Sequence, residues 1–406
     1  MRILHVVHQY LPESVGGTEL YTQSLAHYQA ANGHSVAIFT PSPEDEGLQQ
    51  TAENDIRIYR AGIGPRSRSR VFLSTFTEPQ LEKMFTAVHQ QEAPDLIHIQ
   101  HLMGLPANLV KTIEVPFVIT LHDYWYNCAN AQLLTNYDST VCQGPDKWFH
   151  NCGRCALARA GKAEFAWLAP TVAPIMRWRN GRLQPILQQA QRLIAPSPFI
   201  AQVYQQWGVA RDKITLIPHG IEPPPEKLPY QSPPDRPFRI GYIGGLSWQK
   251  GVHCLVEAFQ SLPDSELWIA GDTQADPPYV AHLRQLATPQ VQFLGKLNRE
   301  AIWQMLAQLD VVVVPSLWYE TFCFVISEAF AAQVPVVAFN LGVMSQRIRD
   351  GVDGRLLPPG DIPALRHVLL QFQTNPATLA QLRQGIQPVR TMVKHVEEIE
   401  ALYRTL

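Results

Sequence analysis

From Arg2 to Asn340 short β-branched runs alternate with longer stretches of helical periodicity, and no other feature restricts the fold of this chain as strongly. In the first half the runs are RILHVVHQY, HSVAIFT, DLIHIQH, PFVITLHD, RLIAPS and ITLIPHG. In the second half they are FRIGYIG, ELWIAG, VQFLG, VVVVPS and PVVAFN. Strands that are apolar at nearly every position and separated by helices must be covered on both faces, which means parallel sheet. A chain of 406 residues exceeds what one core usually serves. A break falls at IEPPPEKLPYQSPPDRP, where seven prolines from Pro223 to Pro237 make a stiff, unpaired linker. The pattern predicts an α/β architecture of two doubly wound, Rossmann-like domains, residues 1–222 and 238–385, facing each other across a hinge at 223–237. Past Pro388, Met392, Val396, Ile399 and Tyr403 share one helical stripe, so 386–406 is expected to be a helix that docks back. In such sheets ligands bind beyond the carboxyl ends of the strands.

Composition excludes some functions. With 46% hydrophobic residues, 17% charged residues and a net charge of −2, the chain lacks the overall basicity of a nucleic-acid binder. The segment MRILHVVHQY reads as a first strand rather than a signal peptide, and no apolar run approaches the roughly 20 residues of a membrane span. A cytoplasmic protein is expected, in which the six cysteines are thiols or metal ligands rather than disulfides.

Two glycine-rich strand ends are suited to an anion. Gly16-Gly17-Thr18-Glu19 opens a helix that ends near Gly33, and paired glycines with free helix N–H groups allow close approach of a phosphate. An ordinary strand-to-helix turn capped by Thr18 is the alternative. Gly244 and Gly245 precede a second helix with Lys250 at its first turn, where a cation opposes the helix dipole unless an anion is also present. The apolar stretch VVVVPSLWYETFCFVISEAF raises a different question, because it carries Glu320 and Glu328 with seven residues between them. Burying an unpartnered carboxylate is costly. Either the two acids accept hydrogen bonds from a sugar diol, or they cap the helix or pair with Lys or Arg.

The segments VGGTELYTQSLAHYQAANGHSV, LHDYW, QRLIAPSPFI, ITLIPHGIE, YIGGLSWQKGVHCLVEAF, FLGKL and PSLWYETFCFVISEAFAAQVPVV together resemble the retaining glycosyltransferases of family four, which have the GT-B fold. The likeness covers nearly the whole chain. It implies transfer of a sugar from a nucleotide diphosphate with the anomeric configuration kept. By position, Glu328 is implied to hold the ribose hydroxyls, and Glu320, followed by Thr321, the donor sugar. Lys250 is implied on the diphosphate beside Gly244 and Gly245, with Gly16 and Gly17 approaching from the other domain. Backbone around Lys296 and Leu297 is implied at the nucleobase, and His122 beside the reacting sugar. Two departures stand out. Many relatives have Arg where this chain has Gly245, and the family's GG-x-x-E is replaced by LGVMSQ, with Val343 and Gln346. Preorganised cations aimed at the charge of a departing nucleotide are usually the largest catalytic term, so one lost cation weakens leaving-group stabilisation unless another Arg replaces it.

An insertion at 124–192 interrupts the first domain. Cys128, Cys142, Cys152 and Cys155 lie within 28 residues, the last two as C-x-x-C, which suits a structural zinc, with His150 able to replace one ligand. Free thiols are the plain alternative. Residues 154–192 then carry seven Arg or Lys against one acid, Glu164, interleaved with Phe165, Trp167, Ile175, Met176 and Trp178. Such a helix suits a membrane interface or a phosphorylated acceptor, or is a solvated basic face. Arg177 and Arg179 here, with Arg66, Arg68 and Arg70, are acceptor candidates by analogy with the fold. The expectation is a cytoplasmic, metal-independent, retaining glycosyltransferase, peripheral at the inner membrane face, with no D-x-D sequence. It would use a UDP-sugar and act on a glycan, a lipid-linked glycan or a sugar phosphate, the last as in sucrose-phosphate synthases. A nucleotide-binding paralogue with weak catalysis is the rival that Gly245 and Gln346 favour.

Overall fold

A computed structural model describes residues 1–44, 46–224 and 236–406. The chain divides into two compact units, Met1–Gly220 with Met392–Leu406, and Ile221–Thr391. The proline-rich linker expected over 223–237 lies for the most part outside the described residues.

The first unit is built on an eight-stranded sheet. Its strands are β1 (Arg2–Val6), β2 (Ser35–Ser42), β3 (Glu46–Glu53), β4 (Ile56–Ile63), β5 (Leu96–Ile99), β6 (Phe117–Thr120), β7 (Arg192–Ala195) and β8 (Ile214–Leu216). They lie in the order β3-β4-β2-β1-β5-β6-β7-β8. All neighbours are parallel except β3 and β4, an antiparallel pair. The sequence pattern does not single out β3 and β4. β3, EGLQQTAE, is an edge strand that is mostly exposed, so it carries no run of apolar residues. Val7, Tyr10, Ala26, Val36 and Ile38 form part of the core on one face.

The helix expected from the C-terminal stripe spans Met392–Tyr403 and packs on the helix Gly17–Ala31 of the same unit. Met392, Val396, Ile399 and Tyr403 are buried, as the stripe requires. The contact is also polar. His395 Nε2 bonds Tyr21 Oη at 2.8 Å, Asn32 Nδ2 donates to Glu400 at 2.9 Å, and Tyr403 Oη meets His98 Nδ1 at 2.5 Å.

The second unit holds six parallel strands, β9 (Phe238–Ile243), β10 (Ser265–Ala270), β11 (Val291–Gly295), β12 (Val311–Val314), β13 (Val336–Phe339) and β14 (Gly354–Leu357). Their order is β11-β10-β9-β12-β13-β14. Counted within the unit this is 3-2-1-4-5-6, the dinucleotide-fold order, which reverses direction between β9 and β12. Register there pairs Ile240 with Val311 and Gly241 with Val312. Leu255, Phe259, Ile240, Leu267, Val313 and Leu369 close the core. In the first unit the corresponding reversal lies between β1 and β5. Among the described residues no helix is long and apolar enough to cross a membrane.

Candidate functional site

In the second unit the loops after β9 and β12 meet at the sheet's reversal point. Lys250 closes a short 3-10 turn, Trp248–Lys250, and the α-helix begins only at Val252. The lysine therefore stands just ahead of the helix rather than in its first turn. Gly251 joins the two with φ of 67°, and a Cβ there would meet the carbonyl of Pro315 at 1.9 Å. Leu317 N donates to Gln249 O at 2.8 Å, so the two loops are laced by backbone.

That lacing sets Lys250 against Glu320, Nζ to Oε1 at 2.7 Å. The same oxygen accepts from Ser316 Oγ at 2.8 Å and Trp318 Nε1 at 2.9 Å. Burial works against the charge of Lys250, but the charge and hydrogen bond of Glu320 outweigh it and hold the lysine pKa above its ordinary value. Glu328 lies on the buried face of the helix Phe324–Ala331 and pairs with Arg299. The ion-pair alternative thus answers for both acids, and neither caps the helix, whose N-cap is Cys323.

Arg299 opens the helix Arg299–Leu306, so its ion pair ties the turn holding Lys296 and Leu297 to Glu328. Thr321 follows Glu320 and is half-buried. Arg347 donates to Phe322 O at 2.7 Å and to Ser327 Oγ, with its guanidinium over the Phe322 ring at 3.8 Å. Burial lowers its pKa to about 10. Burial also pushes the Cys323 thiol up to about 12, with Glu320 adding to the shift while Lys250 and Arg347 oppose it. These groups are therefore neighbours. The sequence reading overlooked Arg299, Arg347, Ser316 and Trp318. Arg299 carries the signal that identified Lys250, a cation at a helix start, while Arg347 lies beyond the motif and has no such mark.

In the first unit the ends of β1, β5 and β6 gather histidines. His122 Nε2 meets Gln100 Oε1 at 2.9 Å, and its ring lies 5.0 Å from Tyr21 and 5.3 Å from His219. Burial, then the neighbouring His101, lowers its pKa to about 3, so the ring is neutral at neutral pH. Gly16 is the N-cap of the helix Gly17–Ala31 and makes no side-chain cap bond, so Thr18 is not the cap. Glu19 is buried in that first turn, with His8 Nε2 3.8 Å away.

The four cysteines of the insertion line one cavity wall. Burial and then the charges of the other three push the Cys152 thiol up, and burial raises Cys155 to about 11. Among the described residues, however, no three His, Cys, Asp or Glu side chains gather as a metal ion requires. Cys155 Sγ accepts from Asn136 N at 3.2 Å, and Cys142 Sγ from Gly144 N at 3.4 Å. The zinc expected at Cys128, Cys142, Cys152 and Cys155 is therefore not supported by any such group among the described residues. Hydrogen bonds help to order the insertion. The Asp146 carboxylate accepts from the backbone N–H groups of Trp148, His150 and Asn151.

Of the acceptor candidates, Arg68 and Arg177 are exposed. Arg70 pairs with Glu78 at 3.7 Å, and Arg66 donates to Gly104 O and Ser74 Oγ. Arg179 is buried, bonding Trp125 O at 2.6 Å with its guanidinium over the Trp125 ring. Arg66, Arg68 and Arg179 share the cysteine-lined cavity.

Comparison with known proteins follows the same division. Residues 15–223 match the profile described as Glycosyltransferase Family 4, and residues 237–375 that of Glycosyl transferases group 1. Glycogen synthase of Mycobacterium tuberculosis is 24% identical over 93% of this chain and 87% of its own. A GDP-mannose-dependent alpha-mannosyltransferase of Corynebacterium glutamicum is 24% identical over 95% and 85%. Among solved structures, sucrose-phosphate synthase from Thermosynechococcus elongatus superposes with a TM-score of 0.73 at 22% identity, over 99% of this chain and 98% of the other. Anabaena HepE, in complex with UDP and glucose, gives 0.70 at 21% identity over the whole of both chains.

Proposed function

The chain belongs to Glycosyltransferase Family 4, and from that premise we propose that it moves a sugar from a UDP-linked donor to a carbohydrate acceptor with the anomeric configuration kept. The observation that carries the proposal is the pair of buried carboxylates at the reversal point of the second sheet, each already facing a cation. Glu328 has one carboxylate oxygen on Arg299 and, among the described residues, no protein donor on the other. A ribose diol supplies the donors that such an oxygen lacks. Glu320 is assigned to the donor sugar, with Thr321 beside it. Lys250, with Gly244 and Gly245, is assigned to the diphosphate, and the turn at Lys296 and Leu297 to the base. Arg347 is assigned as the second cation, in place of the arginine that Gly245 replaces.

In the first unit Gly16 and Gly17 are assigned to the diphosphate and His122 to the reacting sugar. A neutral imidazole suits hydrogen bonding to a sugar hydroxyl. Leaving-group charge is met by fixed cations and helix N–H groups rather than by a divalent ion, so turnover is expected to survive chelation. A cytoplasmic setting with peripheral membrane contact accompanies this reading.

The UDP and glucose held by HepE support uridine as the base. The likeness to sucrose-phosphate synthase supports a sugar phosphate as the narrower acceptor alternative. Gly245 supports the rival, a nucleotide binder with weak catalysis, and nucleotide release with and without acceptor separates the two. A thermal-shift panel of UDP-, GDP- and ADP-sugars tests the donor, because ligands specific to the folded state raise the midpoint. The largest rise is expected with a UDP-sugar. No rise with any of them would overturn the proposal.

A further inference from the structure

We propose that the first unit binds an acceptor in the form of a lipid phosphate, its apolar chain in the cavity beside the cysteine insertion and its phosphate on the guanidiniums of Arg68 and Arg159. The role of acceptor rests on the glycosyltransferase reading; the lipid-phosphate site does not.

The cavity measures about 520 Å³, within the range of roughly 300–1,000 Å³ usual for small-molecule sites. Phe72, Met103, Leu133, Val172 and Met176 contribute to its largely apolar wall. Leu73 and Ile175 also line it, yet are 60% and 48% exposed. The apolar wall therefore continues to the surface, and Trp167 and Trp178 of the same insertion are exposed as well. A free sugar offers little to such a wall, whereas a hydrocarbon chain does.

The charges in the lining all have one sign. Arg66, Arg68, Arg159 and Arg179 line the cavity, with no Asp or Glu among the lining residues. Arg159 donates to Ala129 O and Asn130 Oδ1, and Arg179 to Trp125 O and Asn180 Oδ1, so neither is hydrogen-bonded to a carboxylate. Arg68 makes no ion pair among the described residues and sits close enough to Arg159 to depress its pKa, a shift in which burial is the larger cause. Two guanidiniums lining one cavity, neither in an ion pair among the described residues, are suited to a phosphate.

One wall residue of the cavity is linked to the segment that carries the candidate reaction residue of its own unit. Its wall includes Trp125, whose backbone N–H donates to Asp123, the residue after His122. The Trp125 ring lies 5.6 Å from His101, itself bonded to Asp123 at 2.9 Å.

Titration calorimetry of the full chain with farnesyl phosphate, kept below its micelle concentration, tests this against farnesol and inorganic phosphate. Farnesyl phosphate is expected to bind one to one, at least about tenfold tighter than farnesol, with no detectable heat from inorganic phosphate. Arg68→Glu, an exposed change, should reduce farnesyl phosphate affinity about tenfold and leave farnesol binding as it was. Ala156→Trp, which fills the cavity, should abolish both, with UDP binding as the control for folding. Farnesyl phosphate binding that Arg68→Glu does not weaken, or no binding at all, would overturn the proposal. Binding without any sugar transfer to a soluble acceptor would instead count against the enzymatic reading and leave the cavity's assignment standing.

Discussion

Glu320 and Glu328 lie on one short segment but have different surroundings, and their substitutions should separate accordingly. Three donors converge on one oxygen of Glu320, whereas among the described residues Glu328 has Arg299 alone. Glu328→Ala should weaken UDP binding by about 1.5–3 kcal/mol, the worth of a hydrogen bond to a charged group. Calorimetry with UDP reads this directly, and an unchanged affinity would remove the ribose assignment. Glu320→Ala should spare UDP affinity and reduce turnover. Gly245→Arg restores the residue of many relatives. Gly245 is not in the left-handed region, and a Cβ there meets nothing within 4 Å, so the folded state should tolerate the change within about 0.5 kcal/mol. If Arg347 leaves room for a third cation, UDP binds more tightly. Weaker UDP binding by a stably folded Gly245→Arg would mean that Arg347 already fills that space.

At the scale of elements, the positions of these side chains are set by two loops held together at their backbones. Gly251→Ala places a Cβ against the Pro315 carbonyl at a residue with φ of 67°. A loss of about 1–3 kcal/mol in stability is expected, with weaker UDP binding because Lys250 moves with the turn. Urea unfolding and calorimetry on the same protein check both, and a variant with wild-type values would show that the lacing is incidental. The sequence was informative where burial is two-sided. Strands such as VVVVPS and PVVAFN are apolar throughout because both faces are covered. It was silent on β3, whose exposed edge needs no apolar run, and on GRLL, which is four residues long and closes the opposite edge of the other sheet. The E-x7-E motif located Glu320 and Glu328 but not Arg299 and Arg347, their neighbours in space from other loops. Cysteine spacing suggested zinc because spacing counts residues and cannot show how the side chains gather in space, and no metal-binding group is found among the described residues.

For the whole molecule, the first unit carries a pH liability that its folding must accommodate. Burial lowers the pKa of His5 to about 4 and of His122 to about 3, and lowers that of His98 as well. An unfolded histidine titrates near about 6.5. Below that value the unfolded chain takes up protons that the folded chain refuses, so stability falls as pH drops from about 6.5 towards 4 and is level above it with respect to these groups. Urea midpoints at pH 7.5, 6 and 5 should decline in that order of decreasing pH, with most of the drop between 6 and 5. A midpoint that stays constant would contradict the burial of these rings. The division of the chain also defines what its activity must look like. The second unit carries the carboxylates and cations assigned to the donor, and the first carries His122 and the residues assigned to the acceptor. Lys250→Ala should cost at least one to two orders of magnitude in turnover, about 1.4–2.7 kcal/mol of transition-state stabilisation. The most direct measurement is proton NMR of the sugar transferred from an α-configured UDP-sugar, made with wild type and with Lys250→Ala. The account predicts an α-linked product from the wild type that forms far more slowly in the variant. A β-linked product, or equal rates in the two proteins, would contradict it.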